Sequence, residues 1–552
     1  MNRAAQIYSE LLARHEARVI AADAPREAMR NRLLRRADWR FLLPDPRPRR
    51  IICFADGLLA RAVALIADQV VEPTANPSGD CDLAAAVNPD PSTLRKAWAA
   101  LRPGGMFYGE WYSPSISGPP GVRQQLEASG FTDVACYWPW PWPDRESPLF
   151  WLPMEAPGAL HYFLATRPTT RSIRRRLWSA VLQGLWRFGL RARLMIPMCA
   201  VAHKPADNRA SAGREGANEN LLDSIRAGWS DWGLGPPPRR LSRLLLTGGH
   251  SSLNKVVGLI FADSDRYPRM IVKQPRVPES VPALAREATA LRAIQALRPE
   301  GMRGVPQVLF FRESANQTAL GETVATGQPL LTQVRPDNYR DLALKVTGWL
   351  ADLAGHAPPC PCAQWWDRLI ETPLAEFEQS FGPILDPGQL RETKAILATL
   401  GDLPLVCEQR DCSPWNVLVA ADGELAVLDW ESAELRGLPA LDLIYFLTYL
   451  SFFLNGAMES GRFREAYRAT LDSATFTGRV QAECEQRYCE RTGLELAVLR
   501  PLRLLTWLIH SRLEYKRFVA EAVNQPESAA LRRSLFVSLW EEELRSAPKK
   551  SR

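Results

Sequence analysis

Asp411, Asn416 and Asp429 are the side chains whose types and spacing first suggest chemistry. Asp411 and Asn416 stand in Gln409-Arg410-Asp411-Cys412-Ser413-Pro414-Trp415-Asn416-Val417-Leu418-Val419, and Asp429 in Leu425-Ala426-Val427-Leu428-Asp429-Trp430-Glu431. Between them lies Ala420-Ala421-Asp422-Gly423-Glu424. Two apolar runs around an Asp-Gly pair predict a β-hairpin. Asp411 then precedes the hairpin, Asn416 opens it and Asp429 closes it. Phosphoryl transfer needs that set. One carboxylate orients an attacking hydroxyl and takes its proton, while hard oxygen ligands hold Mg²⁺ against a triphosphate. On this reading Asp411 is the base, and Asn416 and Asp429 hold metal.

Elements that could position a nucleotide lie upstream. Leu241–Leu246 reads as a strand entering Thr247-Gly248-Gly249-His250-Ser251-Ser252-Leu253-Asn254-Lys255-Val256. Gly248, Gly249 and Ser251 let backbone N–H groups come close to phosphates. A second strand, Val257–Phe261, turns through Asp263-Ser264-Asp265-Arg266 into Met270-Ile271-Val272-Lys273. Glu287 follows in a helical stretch, Ala283–Leu297, and Val308–Phe311 and Thr318–Glu322 suggest two further strands.

The Ser-Pro-Trp-Asn and Asp-Trp-Glu wording, with the order glycine turn, Lys, Glu, Asp, Asn, Asp, resembles the aminoglycoside/choline phosphotransferase family from about residue 241 onward. Arg436-Gly437-Leu438-Pro439-Ala440-Leu441-Asp442-Leu443 resembles the family's Gly-Asp-Pro-x-x-Asp-Leu. The resemblance implies a two-lobed, protein-kinase-like α+β fold, with Asp442 bracing the catalytic loop. It implies ATP and Mg²⁺ as cofactors, and Lys273 paired with Glu287 to aim at the α/β-phosphates. Thr323–Leu330 would be the connector whose backbone receives adenine. Glu322, at the end of the preceding strand, is counted with Gly248, Gly249, Ser251, Lys273 and Glu287 among the nucleotide-binding residues. The family usually has His two positions before the catalytic Asp. Here Gln409 stands in its place, and its amide can substitute by hydrogen bonding.

Residues 50–166 alternate short apolar strands with helices, which argues for a parallel α/β sheet. Ile51–Phe54, Gln69–Glu72 and Leu83–Val87 read as strands and Gly57–Ala67 as a helix; Ser92 or Thr93 caps the next helix. Leu101-Arg102-Pro103-Gly104-Gly105-Met106-Phe107-Tyr108 and Leu126–Val134 resemble segments of class I methyltransferases, which implies a Rossmann-like domain. Glu72 stands where that family places an acid on the cofactor ribose. The first turn, Cys53-Phe54-Ala55-Asp56-Gly57-Leu58-Leu59-Ala60, carries one glycine where the family needs several. A degenerate domain without S-adenosylmethionine is expected. Tyr137-Trp138-Pro139-Trp140-Pro141-Trp142-Pro143 reads as an extended segment packed on this domain.

The domain reading is therefore a helical extension over 1–49, the methyltransferase-like domain over 50–166, a basic stretch and linker over 167–240, a kinase-like N-lobe over 241–330 and a helical C-lobe over 331–552. Residues 1–50 carry twelve Arg against six acids. Residues 167–193 hold eight Arg and no acid, with apolar positions at helical spacing, which suits an anionic membrane surface or docking between domains. A net charge of +7 over 552 residues does not demand nucleic acid, and none is expected. The early residues lack a secretory pattern, Leu443–Leu454 is too short to span a bilayer, and ten scattered cysteines suit a reducing cytoplasm. The expected location is cytoplasmic, with peripheral attachment to the inner membrane face through 167–193.

The leading reading is an ATP-dependent phosphotransferase acting on a hydroxyl of a small molecule, sugar or glycan. Two alternatives stand beside it: a bifunctional methyltransferase–kinase of surface polysaccharide biosynthesis, and a non-catalytic scaffold with two degenerate domains.

Overall fold

The structure is a computed structural model of the whole chain. It describes residues 26–73, 79–112, 118–141, 143, 147–166, 198–206, 220–249, 251–298, 300–314, 317–521 and 528–546. The chain divides into two compact units, Met1–Leu284 with Val308–Val324, and Ala285–Gln307 with Ala325–Arg552.

The first unit is organised on one sheet. Its strands are β1 Arg50–Phe54, β2 Gln69–Val71, β3 Cys81–Val87, β4 Leu101–Trp111, β5 Thr132–Trp140, β6 Phe150–Pro153, β7 Met198–His203, β8 Leu241–Leu246, β9 Lys255–Ala262, β10 Met270–Pro275, β11 Val308–Glu313 and β12 Thr318–Glu322. Their order is β11-β12-β10-β9-β8-β6-β5-β7-β4-β3-β1-β2. The strands β2, β1, β3 and β4 are mutually parallel. Leu83, Ala84, Ala85 and Ala86 of β3 are all fully buried, as a parallel strand covered on both faces requires.

Three features differ from the sequence reading. First, the helix Pro91–Ala100 is capped by Asp90, whose side chain accepts from the Thr93 backbone N–H at 2.7 Å, not by Ser92 or Thr93. Pro91 at the first helical position sets that boundary two residues before Ser92. Second, Met198–His203, expected within the linker, is β7, antiparallel to both β4 and β5. The run Met198–Ala202 is apolar and buried, so its backbone is best satisfied inside a ladder. Third, the sheet does not stop where the expected domains divide. β6 pairs with β8 through Phe150↔Leu246 and Trp151↔Leu245, so strands assigned to 50–166 and to 241–330 share one ladder. Joining them leaves neither set with an exposed edge at that point. Within the aromatic and proline run, Tyr137–Trp140 is extended, as expected, and belongs to β5, pairing with β6. The basic stretch 167–193, with its membrane reading, lies outside the described residues.

The second unit is mainly helical. Its central helix, Leu441–Leu454, is buried along nearly its whole length. Around it stand the helices Tyr339–Ala354, Phe463–Leu471, Phe476–Thr492, Leu499–Glu521 and Leu535–Arg545. Among the described residues, no helix is long and apolar enough to cross a membrane.

Candidate active site

The hairpin expected around Asp422-Gly423 is present in the second unit. Val417–Val419 runs antiparallel to Leu425–Val427, with Val417 opposite Val427, and Gln328–Pro329 adds a third strand beside Val419 and Leu418. The Leu428 N–H donates to Asn416 O at 2.8 Å, which closes the hairpin between the two candidate metal ligands. Trp430 is fully buried and its indole donates to Val427 O at 2.9 Å, anchoring the segment just past Asp429.

Gln409 is the hub of the cluster. Its side chain is fully buried. Nε2 donates to Leu428 O at 2.9 Å and to Asp429 O at 2.6 Å, and Oε1 accepts from the Asp411 N–H at 2.7 Å. One amide thus ties the candidate base to the strand end that carries the candidate metal ligand. Asp442 braces the loop from below, accepting from the Gln409 N–H at 2.7 Å and the Arg410 N–H at 2.8 Å. Arg410 and Asp429 both have φ +65°. That left-handed conformation costs a side-chain-bearing residue roughly 1–2 kcal/mol, which these bonds offset.

Asn416 Nδ2 donates to Asp411 O at 3.0 Å and to Asp411 Oδ2 at 2.8 Å. Burial first, and the Asp429 carboxylate next, push the Asp411 pKa up to about 8. The Tyr445 hydroxyl is also hydrogen-bonded to Asp411. The donor set suits a hard cation. The Asn416 amide nitrogen faces Asp411, and the Asn416 carbonyl oxygen and the Asp429 carboxylate are hard oxygen donors of the kind Mg²⁺ takes. Among the described residues, no three His, Cys, Asp or Glu side chains form a metal cage by themselves. Two protein oxygens completed by water and phosphate is the usual way Mg²⁺ is held.

The candidate nucleotide residues of the first unit lie on adjacent strands. Gly248, Gly249 and Ser251 occupy the turn from β8 to β9. Gly249 has φ +86°, and a Cβ there would meet the Asn254 amide at 1.6 Å, so any other residue would be strained in its backbone and would have to displace that side chain. Lys273 lies in β10 between β9 and β12, and its Nζ is 2.9 Å from Glu322 Oε2 with both side chains largely buried. Glu287 belongs to the second unit, where its carboxylate accepts from the Trp430 N–H at 3.0 Å. The pair read from the sequence between Lys273 and Glu287 joins residues of different units and stays an expectation.

Sequence reasoning passed over Tyr445, Arg276 and Asp38. Tyr445 looks like one more apolar residue of a buried helix. Its ring stacks on His510, with centroids 3.8 Å apart and planes 8° apart, and Phe536 packs beyond. Desolvation, helped by the nearby Arg410 charge, lowers the His510 pKa to about 3. Folded His510 therefore stays neutral while the unfolded chain takes up a proton below about 6.5. Stability is lost as pH falls from about 6.5 towards 3, and the loss from this group reaches about 3 kcal/mol near pH ~4. His510→Phe keeps the stack and removes the proton. Denaturant titrations at a series of pH values should show the variant gaining on the wild type as pH falls through this window, and a constant difference would refute the assignment.

Residues 245–479 match the family model described as "APH: Phosphotransferase enzyme family". No curated protein matches the chain. Among solved structures, the chain is similar to aminoglycoside phosphotransferase APH(3'')-Id from Streptomyces rimosus, at 16% identity and a TM-score of 0.29, covering 51% of this chain and 96% of that one. It is similar to a thermostable mutant of APH(4)-Ia in a ternary complex with ADP and hygromycin B, at 14% identity and a TM-score of 0.34, covering 57% and 96%. It is also similar to spectinomycin phosphotransferase APH(9)-Ia in complex with ADP and spectinomycin, at 10% identity and a TM-score of 0.32, covering 55% and 92%.

Proposed function

We propose that this chain, whose residues 245–479 match the phosphotransferase enzyme family, transfers the γ-phosphoryl group of ATP to a hydroxyl of a small molecule, sugar or glycan. The observation that carries the reading is the Gln409 hub, which ties Asp411 to the end of the strand bearing Asp429. Asp411 accepts the proton of the acceptor hydroxyl. The hydroxyl oxygen forms its bond to the γ-phosphorus as the bond to the β,γ-bridging oxygen breaks, and ADP leaves with that oxygen. Asn416, through its side-chain oxygen, and Asp429 hold Mg²⁺, which when bound neutralises charge on the phosphates. The turn amides at Gly248, Gly249 and Ser251 bind phosphate oxygens. Lys273, now on Glu322, and Glu287 complete the nucleotide-binding set.

The roles of 241–330 as nucleotide lobe and 331–552 as acceptor lobe belong to this proposal, as does a cytoplasmic location. The methyltransferase-like reading of 50–166 finds support in the parallel order β2-β1-β3-β4. The single glycine after β1, Gly57 at φ +68°, argues against use of S-adenosylmethionine there. A structural role for that domain fits the ladder from β6 to β8.

Calorimetric titration of the full chain with ADP tests the nucleotide site. Tight binding with Mg²⁺ that weakens at least about tenfold in EDTA is expected, since two protein oxygens alone hold Mg²⁺ weakly without phosphate. Absence of binding under both conditions would favour the non-catalytic scaffold.

A further inference from the structure

The glycine turn is gripped by an arginine that is itself held from outside the kinase-like segment. Arg276 stands just past β10, three residues after Lys273, and its side chain is fully buried against the equally buried Asp38. Nε donates to Asp38 Oδ1 at 3.1 Å and Oδ2 at 3.0 Å, and Nη2 lies 2.9 Å from Oδ2. The rest of the guanidinium faces the turn. Nη1 donates to Ser251 O at 2.9 Å, and Nη2 reaches Gly248 O at 3.3 Å and Thr247 O at 3.5 Å. Asp38 opens a short 3₁₀ helix, Asp38–Leu42, in the N-terminal region. From the same helix, Arg40 Nη2 donates to Arg276 O at 2.5 Å, and Trp39 stacks on Tyr108 of β4 with centroids 4.0 Å apart. A second hold comes from the lead-in to β6. The Thr247 N–H donates to Leu149 O at 2.9 Å and its hydroxyl to Pro148 O at 2.7 Å.

We infer that Arg276, aligned by Asp38, is a positioning residue that sets the direction of the phosphate-binding amides, so that the N-terminal region is a working part of the nucleotide site. The reason lies in peptide geometry. A trans peptide points its N–H opposite to its C=O. Drawing the carbonyls of Thr247, Gly248 and Ser251 towards one guanidinium turns the N–H groups of Gly248, Gly249 and Ser252 away from it together. Glycine-rich backbone has many other conformations open to it, and a buried, charge-fixed arginine removes them. A planar fork is needed for this, because it must meet a carboxylate on one edge and several carbonyls on the other. The inference rests on the phosphotransferase reading, since it presumes that those amides meet phosphate.

The test uses the full chain with Asp38→Asn, which keeps shape and removes the charge, and Arg276→Lys, which keeps charge and removes the fork. Steady-state kinetics and ADP titration are run beside a thermal midpoint, and hydrogen exchange is followed over residues 247–253. Each variant is expected to raise KM for ATP and the Kd for Mg-ADP at least about tenfold, with kcat at saturating ATP within about threefold of wild type. Exchange over the turn should quicken while the rest of the sheet keeps its protection. The double variant should be no worse than the poorer single one, because both act through one contact. Should Asp38→Asn fail to fold, Arg276→Lys and its turn-specific exchange decide alone. Unchanged nucleotide affinity in a folded variant, with wild type binding normally, overturns the positioning role and leaves the phosphotransferase reading intact. Failure of the wild type itself to bind Mg-ADP overturns both.

Discussion

Asp411→Asn is expected to lower turnover by about 10²–10⁴-fold, the range for losing a positioned general base, while nucleotide affinity changes little. The amide fills the same space and keeps an oxygen to accept the bond from Asn416 Nδ2, which is 2.8 Å in the parent. What it loses is the ability to take the acceptor's proton. Asp429→Asn should behave differently, because its carboxylate is assigned to the metal. Its main effect should be a large loss of Mg²⁺-dependent ADP binding, with turnover falling as a consequence. Without divalent cation, neither change should lower the thermal midpoint, since each removes one of two carboxylates that repel each other in a partly buried site. Titration calorimetry with and without Mg²⁺, beside single-turnover kinetics, separates the two. Full transfer activity in both variants would remove Asp411 and Asp429 from the mechanism.

Gln409→Glu should be the most damaging substitution for its size. The shape is conserved, but the donor facing Leu428 O at 2.9 Å and Asp429 O at 2.6 Å becomes a third acceptor. The variant must either protonate that carboxyl or leave a buried charge against two carbonyls, and leaving such groups unsatisfied costs roughly 1–3 kcal/mol each. A loss of about 3 kcal/mol or more in unfolding free energy is expected, together with a fall in kcat of at least about tenfold as the Asp411 and Asp429 segments part. The loss should grow with rising pH, because ionisation of the new carboxyl is what the fold resists. Gln409→His restores the residue that the resembled family usually has, and should cost less. A neutral imidazole offers one donor and one acceptor, so it can serve one carbonyl and the Asp411 N–H but not both carbonyls. Urea titration at several pH values and steady-state kinetics check this. Equal stability of the Glu and His variants would show that the amide bridge contributes little.

The candidate-site hairpin was legible in the sequence because its signals are local. Asp422-Gly423 between two apolar runs specifies the turn, and Asp411, Asn416 and Asp429 lie at short fixed offsets from it. Gln409 could be read only as a departure, because its three bonds reach Asp411, Leu428 and Asp429, and side-chain reach across a hairpin leaves no periodic trace. The continuous sheet was illegible for a related reason. Pairing of β6 with β8 joins Phe150 to Leu246, and nothing in either strand's alternation names its partner. β7 was hidden because Met198–Ala202 is short and follows a basic stretch, so it read as linker. The hold of Asp38 on Arg276 spans 238 positions of sequence, and one Asp in an arginine-rich segment reads as an ordinary surface charge. Its complete burial is a property of tertiary packing alone.

Transfer of label from γ-labelled ATP is the most direct test of the central claim. The purified full chain is incubated with Mg²⁺ and, in turn, with aminoglycosides, choline-like alcohols, free sugars and glycan ends. Products are separated and the site of phosphorylation is located by mass spectrometry, with Asp411→Asn as the control. Phosphate is expected on a hydroxyl of one acceptor class, at a rate that depends on Mg²⁺ and is lost in Asp411→Asn. Label reaching no acceptor, or reaching one equally well with Asp411→Asn, would contradict the account.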